Sequence, residues 1–377
     1  MTDPDVPAEE LSPDPPVPLK RYDRQAIVTA VLVMLVGAVF GGVLYRYEQT
    51  RATWRPSVER TAGGWRISSR YGHGPEGFGL KNDHLVWATN LAIITMDMRN
   101  GKTKLLDDVN RQQVSALTVS DRYSAWTTVE DTAAGAVTAL HTYDFVSGKR
   151  SQFNDVGNVY EELAISGSRL LWLGPSETSD SPDIKSIDIE TGERSVLVPA
   201  TTQASGQVAL NGPRADGDLV AWTARTGGGQ GPTVFAFKDL ATGREWTCDP
   251  HTPGGDSLWL SWRLSGRTVA FSWQAPNTDQ GGEIVTLNAD TNIRTTVVRG
   301  IDLQTPAIDG DLVAWWALQG DQTEILGSRQ NGAEPFTIAV TGHINGDSLL
   351  VSGGNAAWLG YDSSGSDAWI ETQKLPR

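Results

Sequence analysis

The heptapeptide DGDLVAW stands at Asp216–Trp222 and again, letter for letter, at Asp309–Trp315. A single site does not need two copies of itself, whereas a repeated structural unit does. Related phrases extend the series in both directions. KNDHLVWAT, SDRYSAWTT and SGSRLLWLG precede it, SGRTVAFSW lies between the copies, and SGGNAAWLG follows. The aromatic anchors of these phrases are Trp87, Trp126, Trp172, Trp222, Phe271, Trp315 and Trp358, spaced by 39, 46, 50, 49, 44 and 43 residues.

A second phrase recurs downstream of each anchor: MDMRNGKTKLL, YDFVSGKRSQF, IDIETGERSVL, KDLATGREWTC and LNADTNIRTTV. It reads as a strand, a tight turn and a second strand. The turn ends on Gly101, Gly148, Gly192 and Gly243, on Asn292 in the fifth unit, and on Gly332 in the sixth. Glycine takes the positive φ such a turn needs without steric cost, and asparagine is the next most tolerant residue. The anchor strands are nearly continuous apolar runs, as strands buried on both faces are. Four short strands in about 45 residues describe a propeller blade. The fold expected for 64–377 is therefore an all-β, seven-bladed propeller.

The last unit ends after DAWIETQ without a fourth strand, while GWRISSR (Gly64–Arg70) reads as a fourth strand with no blade before it. Pairing Gly64–Arg70 beside Asp367–Gln373 closes the ring and leaves no open sheet edge. Trp65 and Trp369 are expected near one seam.

Two segments precede the propeller. Residues 1–25 form a proline-rich acidic tail whose composition cannot build a core. Ala26–Tyr45 is a run of 20 uncharged, mainly apolar residues. As a helix it spans about 30 Å, the thickness of a bilayer core. A cleaved signal peptide is the rival reading, but YRYEQTRATW offers no convincing cleavage site. The expected topology is a single transmembrane helix, a cytoplasmic N-terminus, a linker over 46–63 and a propeller outside the plasma membrane. Lys20, Arg21 and Arg24, packed beside the apolar run, favour that orientation. Gly37 and Gly41 form a GxxxG through which two such helices can pair as a homodimer.

Composition narrows the function. A net charge of −14 argues against nucleic acid as a partner. The lone cysteine, Cys248, rules out internal disulfides and zinc–thiolate cages. No GxSxG or HExxH motif is present, nor the Asp-box of sialidases. No catalytic residue and no cofactor are expected. Three of the five histidines, His73, His251 and His343, fall in equivalent loops between blades. There they are candidate ligands for a transition metal, set against the ordinary preference of polar residues for loops. Acids and bases share these loops, including Asp107, Glu162 and Arg299. Trp259 and Trp262, in SLWLSW, are candidate binding residues if exposed and packing residues if buried.

The blades, with an aromatic strand after DG or SG and a D-x-x-T-G hairpin, resemble the TolB-like and WD40-like propellers of bacterial envelopes. That resemblance implies a binding platform for an envelope protein. The apolar segment, the absence of a recognisable second domain and the seven blades depart from TolB itself, whose propeller has six. AFKDLATGREW (Ala236–Trp246) looks like the tryptophan-docking motif of quinoprotein dehydrogenases, in which aspartate, threonine-glycine and tryptophan tie neighbouring blades. Here Trp246 falls one position early and one blade alone carries the motif. The sequence thus points to a non-enzymatic scaffold for an envelope protein or a cell-wall polymer. A hydrolase or lyase at the polar mouth of the channel is the alternative.

Overall fold

A computed structural model describes residues 56–376, except 69–76, 110–111, 133–134, 155, 160–161, 201–207, 228–230, 251–257, 275–281, 301–302, 321, 345–347 and 362–367. The tail over 1–25, the segment Ala26–Tyr45 with Gly37 and Gly41, and most of the linker lie outside the described residues. Among the described residues no helix is long and apolar enough to cross a membrane.

The described chain is all strand and turn. It forms seven antiparallel sheets, one per expected blade. Blades one to six span 77–108, 113–153, 163–198, 208–248, 258–300 and 304–341, each with four strands in sequence order. We call these strands A to D, outward from the channel. The seven aromatic anchors all lie on strand B and are at most 3% exposed. Their flanking residues pack across the seams. Phe235 and Phe237 of blade four, for example, share a cluster with Trp262, Phe271 and Val285 of blade five. Most of the core thus lies between blades, which explains why strand B is apolar on both faces.

The hairpin phrase owes its spelling to backbone hydrogen bonds. The residue that ends strand C caps the turn with its side chain. Asp188 Oδ1 accepts from Glu190 N–H at 3.0 Å and Thr191 N–H at 2.9 Å, and Asn288 Oδ1 accepts from Asp290 and Thr291 N–H at 3.0 Å each. Four residues on, Gly101, Gly148, Gly192, Gly243 and Asn292 return their N–H to that residue's carbonyl at 2.8–2.9 Å. Their φ values lie between 55° and 77°.

Strand D is an exposed edge, and four blades blunt it with a β-bulge. In blades one, three, five and six the register against strand C slips by one residue. The extra residue is Leu106, Leu197, Val297 or Ile338, and each packs into the core beside the next blade. A bulge both turns that side chain inward and spoils the edge as a template for a foreign strand.

Blade seven closes the ring as the sequence predicts. Trp65–Ser68 pairs with Ala368–Lys374 in the register Arg66↔Glu371, Ile67↔Ile370 and Ser68↔Trp369. Trp65 N–H donates to Thr372 Oγ1 at 2.8 Å, and Lys374 N–H to Gly63 O at 2.8 Å. Three details differ from expectation. Ser57–Arg60, read as linker, adds a fifth strand outside Trp65–Ser68. The inner strand is split into His343–Ile344 and Leu350–Ser352, both paired with Asn355–Tyr361. The rings of Trp65 and Trp369 take different neighbours. Trp65 reaches blade one, whereas Trp369 lies across Gly360, with Arg66 5.3 Å from its ring centre.

The indole of Trp65 donates to Met98 O at 3.0 Å, and that of Trp246 to Ala289 O at 2.7 Å. Met98 and Ala289 occupy the same place, one residue past the turn-capping Asp97 and Asn288. The docking tie read in one blade therefore occurs at two seams, and the second is where blade seven meets blade one. Sequence spacing hid it because that strand lies at the opposite end of the chain from its blade.

Candidate functional site

The hairpins between strands A and B converge on one mouth of the channel. The residue that closes strand A, six before each anchor, is Lys81, Ser120, Ser166, Asp216, Ser265, Asp309 or Ser352. The next position, Asn82, Gly167, Gly217, Gly266, Gly310 or Gly353, has φ between 51° and 58° in six blades. Blade two is the exception, with Asp121 there.

These turns are stitched to one another. Gly266 N–H donates to Asp216 Oδ2 at 2.7 Å, Gly310 N–H to Ser265 Oγ at 3.0 Å, and Gly353 N–H to Asp309 Oδ2 at 2.8 Å. Asn82 N–H donates to Ser352 Oγ at 3.0 Å, which carries the stitching across the closure. Ser166 reverses the sense and donates to Gly217 O at 2.6 Å. The first residue of the repeated DG is thus an acceptor for a neighbouring turn, and the glycine supplies the left-handed turn itself. This is why the two heptapeptides share it.

Two blades break the pattern. Ser120 bonds within its own turn, accepting from Tyr123 N–H at 3.0 Å. Lys81 offers no acceptor, and Asn82 Nδ2 bonds Asp121 instead. The Lys81 ammonium reaches Asp216 Oδ1 at 3.1 Å. Lys81 belongs to blade one and Asp216 to blade four, which no seam joins, so this ion pair crosses the channel. Around it all seven blades enclose a cavity of about 320 Å³. Its lining combines an apolar collar, which includes Leu80, Val119, Ile165 and Ile308, with Lys81, Arg122 and Arg263 against Asp121, Asp216 and Asp309.

The opposite mouth, built from the loops between blades, held the sequence candidates. His73 and His251 lie outside the described residues. His343 is exposed, at the start of the split inner strand. Among the described residues, no group of three or more metal-ligating side chains forms. Asp107 is withdrawn from the mouth into the seam between blades one and two, bonded to Arg150. There it lies 3.7 Å from His141 Nδ1, while His141 Nε2 meets Thr128 Oγ1 at 2.9 Å. The order hydroxyl, imidazole, carboxylate has the look of a triad, but all three side chains are buried beneath the blade surfaces. Burial lowers the His141 pKa, against the opposing pull of Asp107. It is therefore a neutral packing group, stacked on Trp126. Arg299 is bound to Glu283 at 2.6 Å, and Glu162 to Arg214 at 2.6 Å.

Trp262 takes the packing alternative of the two the sequence left open. It is 4% exposed, in edge contact with Phe235 at 5.4 Å and with Arg214 4.9 Å from its ring centre. Its place is the packed seam, so it offers no face to a partner. The Trp259 backbone pairs with Trp273, and its side chain lies outside the described set. Sequence reasoning passed over the mouth formed by Lys81 and Asp216. The available signal was a lysine in a column otherwise filled by serine and aspartate.

No family model matches the chain, and no curated protein matches its sequence. Solved structures do. An oligogalacturonate lyase in complex with manganese is 12% identical with a TM-score of 0.57, over 86% of this chain and 96% of that one. A prolyl endopeptidase structure is 12% identical with a TM-score of 0.56, over 81% of this chain, which spans about half (51%) of that protein. TolB from Acinetobacter baumannii is 14% identical over 78% of this chain and 80% of that one, with a TM-score of 0.46. Likeness at such identities speaks to fold. The chain is a seven-bladed β-propeller, a class with both binding and enzymatic members.

Proposed function

We propose that this propeller is a non-enzymatic binding scaffold. It is held by Ala26–Tyr45 on the outer side of a bacterial plasma membrane, and its partner is an envelope protein or a cell-wall polymer. The observation that supports this reading is how the polar side chains are engaged. Several described groups of catalytic type have hydrogen bonds committed to turns and seams. Asp144, Asp188 and Asp239 cap hairpins, Asp216 and Asp309 hold neighbouring turns, and His141 is locked between Thr128 and Asp107. A general acid or base needs its proton-transferring atom within reach of substrate. The same bonds make the disk rigid, which lowers the ordering cost of binding a large partner.

The test is crosslinking in intact cells followed by capture of the full chain. The expected result is one recurrent envelope protein or wall fragment. The alternative, a hydrolase or lyase at the loop-lined mouth, has one observation behind it: the match to the oligogalacturonate lyase structure covers 86% of this chain and 96% of that one. Incubation with oligogalacturonate and manganese, read by ultraviolet absorbance of the unsaturated product, separates the two. Turnover that is abolished by alanine at His73, His251 or His343, with the melting curve intact, overturns the scaffold reading.

A further inference from the structure

Lys81 is the exception that points to a ligand. Its position elsewhere in the ring carries a short acceptor or hydroxyl that serves a turn. A position that breaks a local rule is where function is to be sought. The ammonium carries three donors, and among the described residues the structure gives it one acceptor, Asp216 Oδ1 at 3.1 Å. Lys81 and Asp216 are 29% and 26% exposed, so solvent screens their pair and a competitor can displace it. The other charges of the lining have partners away from the crossing pair. Asp121 bonds Asn82, and Arg122 bonds Asp144 at 3.1 Å and Glu190 at 2.8 Å.

The cavity's chemistry defines what fits. Three cations face three carboxylates, so neither a polyanion nor a polycation is matched. A molecule bearing one charge of each sign satisfies both ends of the crossing pair. Its ammonium replaces Lys81 on Asp216, and its carboxylate accepts from the released lysine. The volume of about 320 Å³ lies at the lower end for ligand pockets. The apolar collar suits a short aliphatic side chain. Because the turns are stitched around the ring, the walls are already in place. We propose that this mouth binds a small zwitterion of the α-amino-acid class, with its carboxylate on Lys81 and its ammonium on Asp216. The site is independent of any protein or polymer bound elsewhere on the disk.

The test titrates the full chain, purified in detergent, with L-alanine, propionate and ethylammonium, followed by calorimetry. The last two are alanine without its ammonium and without its carboxylate. Saturable binding of alanine is expected with Kd near about 1 mM, at least tenfold tighter than either half. Lys81→Met should weaken alanine binding at least tenfold. Asp216→Asn should do the same while its amide oxygen keeps the bond from Gly266 N–H. Arg299→Ala, outside the cavity lining, serves as the unchanged control. Propionate binding as tightly as alanine overturns the proposal in favour of a plain anion site. So does an unchanged affinity in Lys81→Met, or no saturation with alanine up to about 100 mM. Should Asp216→Asn melt early, Lys81→Met decides alone, since Lys81 holds no turn.

Discussion

The clasp of blade seven joins the two ends of the described chain without a covalent link, so it should be the place where the disk opens. Ile67 sits at its centre, 1% exposed and paired opposite Ile370. Ile67→Ala removes buried methyl and methylene groups and leaves a cavity, a change that costs about 3 kcal/mol. For a domain of this size that lowers the melting temperature by about 5 °C. Ile187→Ala in blade three is the matched control, because Ile187 is fully buried on a strand held covalently on both sides. The two variants should lose similar stability and differ in how they open. In Ile67→Ala, hydrogen exchange should accelerate first at Trp65–Ser68 and Ala368–Lys374, and the exposed edges should promote aggregation on mild heating. Deleting 61–70 should exaggerate both effects. If Ile67→Ala and Ile187→Ala exchange and aggregate alike, or the deletion melts unchanged, the clasp is not the weak point and the reasoning fails.

The turn glycines give a graded comparison. At Gly243 an added Cβ meets nothing within 4 Å, so Gly243→Ala should cost about 1 kcal/mol from the positive φ alone. At Gly101 the Cβ would fall 2.6 Å from the Trp65 ring, so Gly101→Ala should cost more and loosen the seam with blade seven, as urea denaturation would show. Trp262→Ala should destabilise by about 3–5 kcal/mol, with any effect on partner capture following the loss of fold; a stable variant that no longer captures a partner would contradict its burial. Acid sensitivity should come in two stages. His141 and His84 have pKa values lowered by burial, so below the unfolded value of 6.5 the unfolded chain binds more protons. Their contribution is intact above 6.5 and is lost as pH falls through their folded values. Asp97, held by Arg99, and Asp144, where burial is outweighed by Arg122 and backbone N–H groups, both have values near about 2. Their contribution is intact above 3.8 and fails only as pH falls towards that value. Melting curves should therefore weaken as pH falls below 6.5, and His141→Gln should flatten part of that slope.

Much of this architecture is written locally. The anchor strands, the capped hairpins and the glycines at positive φ follow from contacts within a few residues, and the repeat shows each of them several times. Pairing of the N-terminal strand with the last blade could also be read, because one unit lacked a strand and one strand lacked a unit. Ser57–Arg60 could not, since four residues with a single apolar side chain, Val58, carry no period to count. Nor could the fate of individual side chains at the seams. Sequence favoured packing over display for Trp262 but could not name its neighbours, which are Phe235 and Arg214. Asp107, in a stretch that reads as loop, is drawn inward by Arg150 and His141 of the next blade. The clearest case is the pair that crosses the channel. Lys81 and Asp216 are 135 residues apart and belong to blades that share no seam. Local pattern specifies each turn, but the curvature of the closed ring alone brings the two charges within bonding distance.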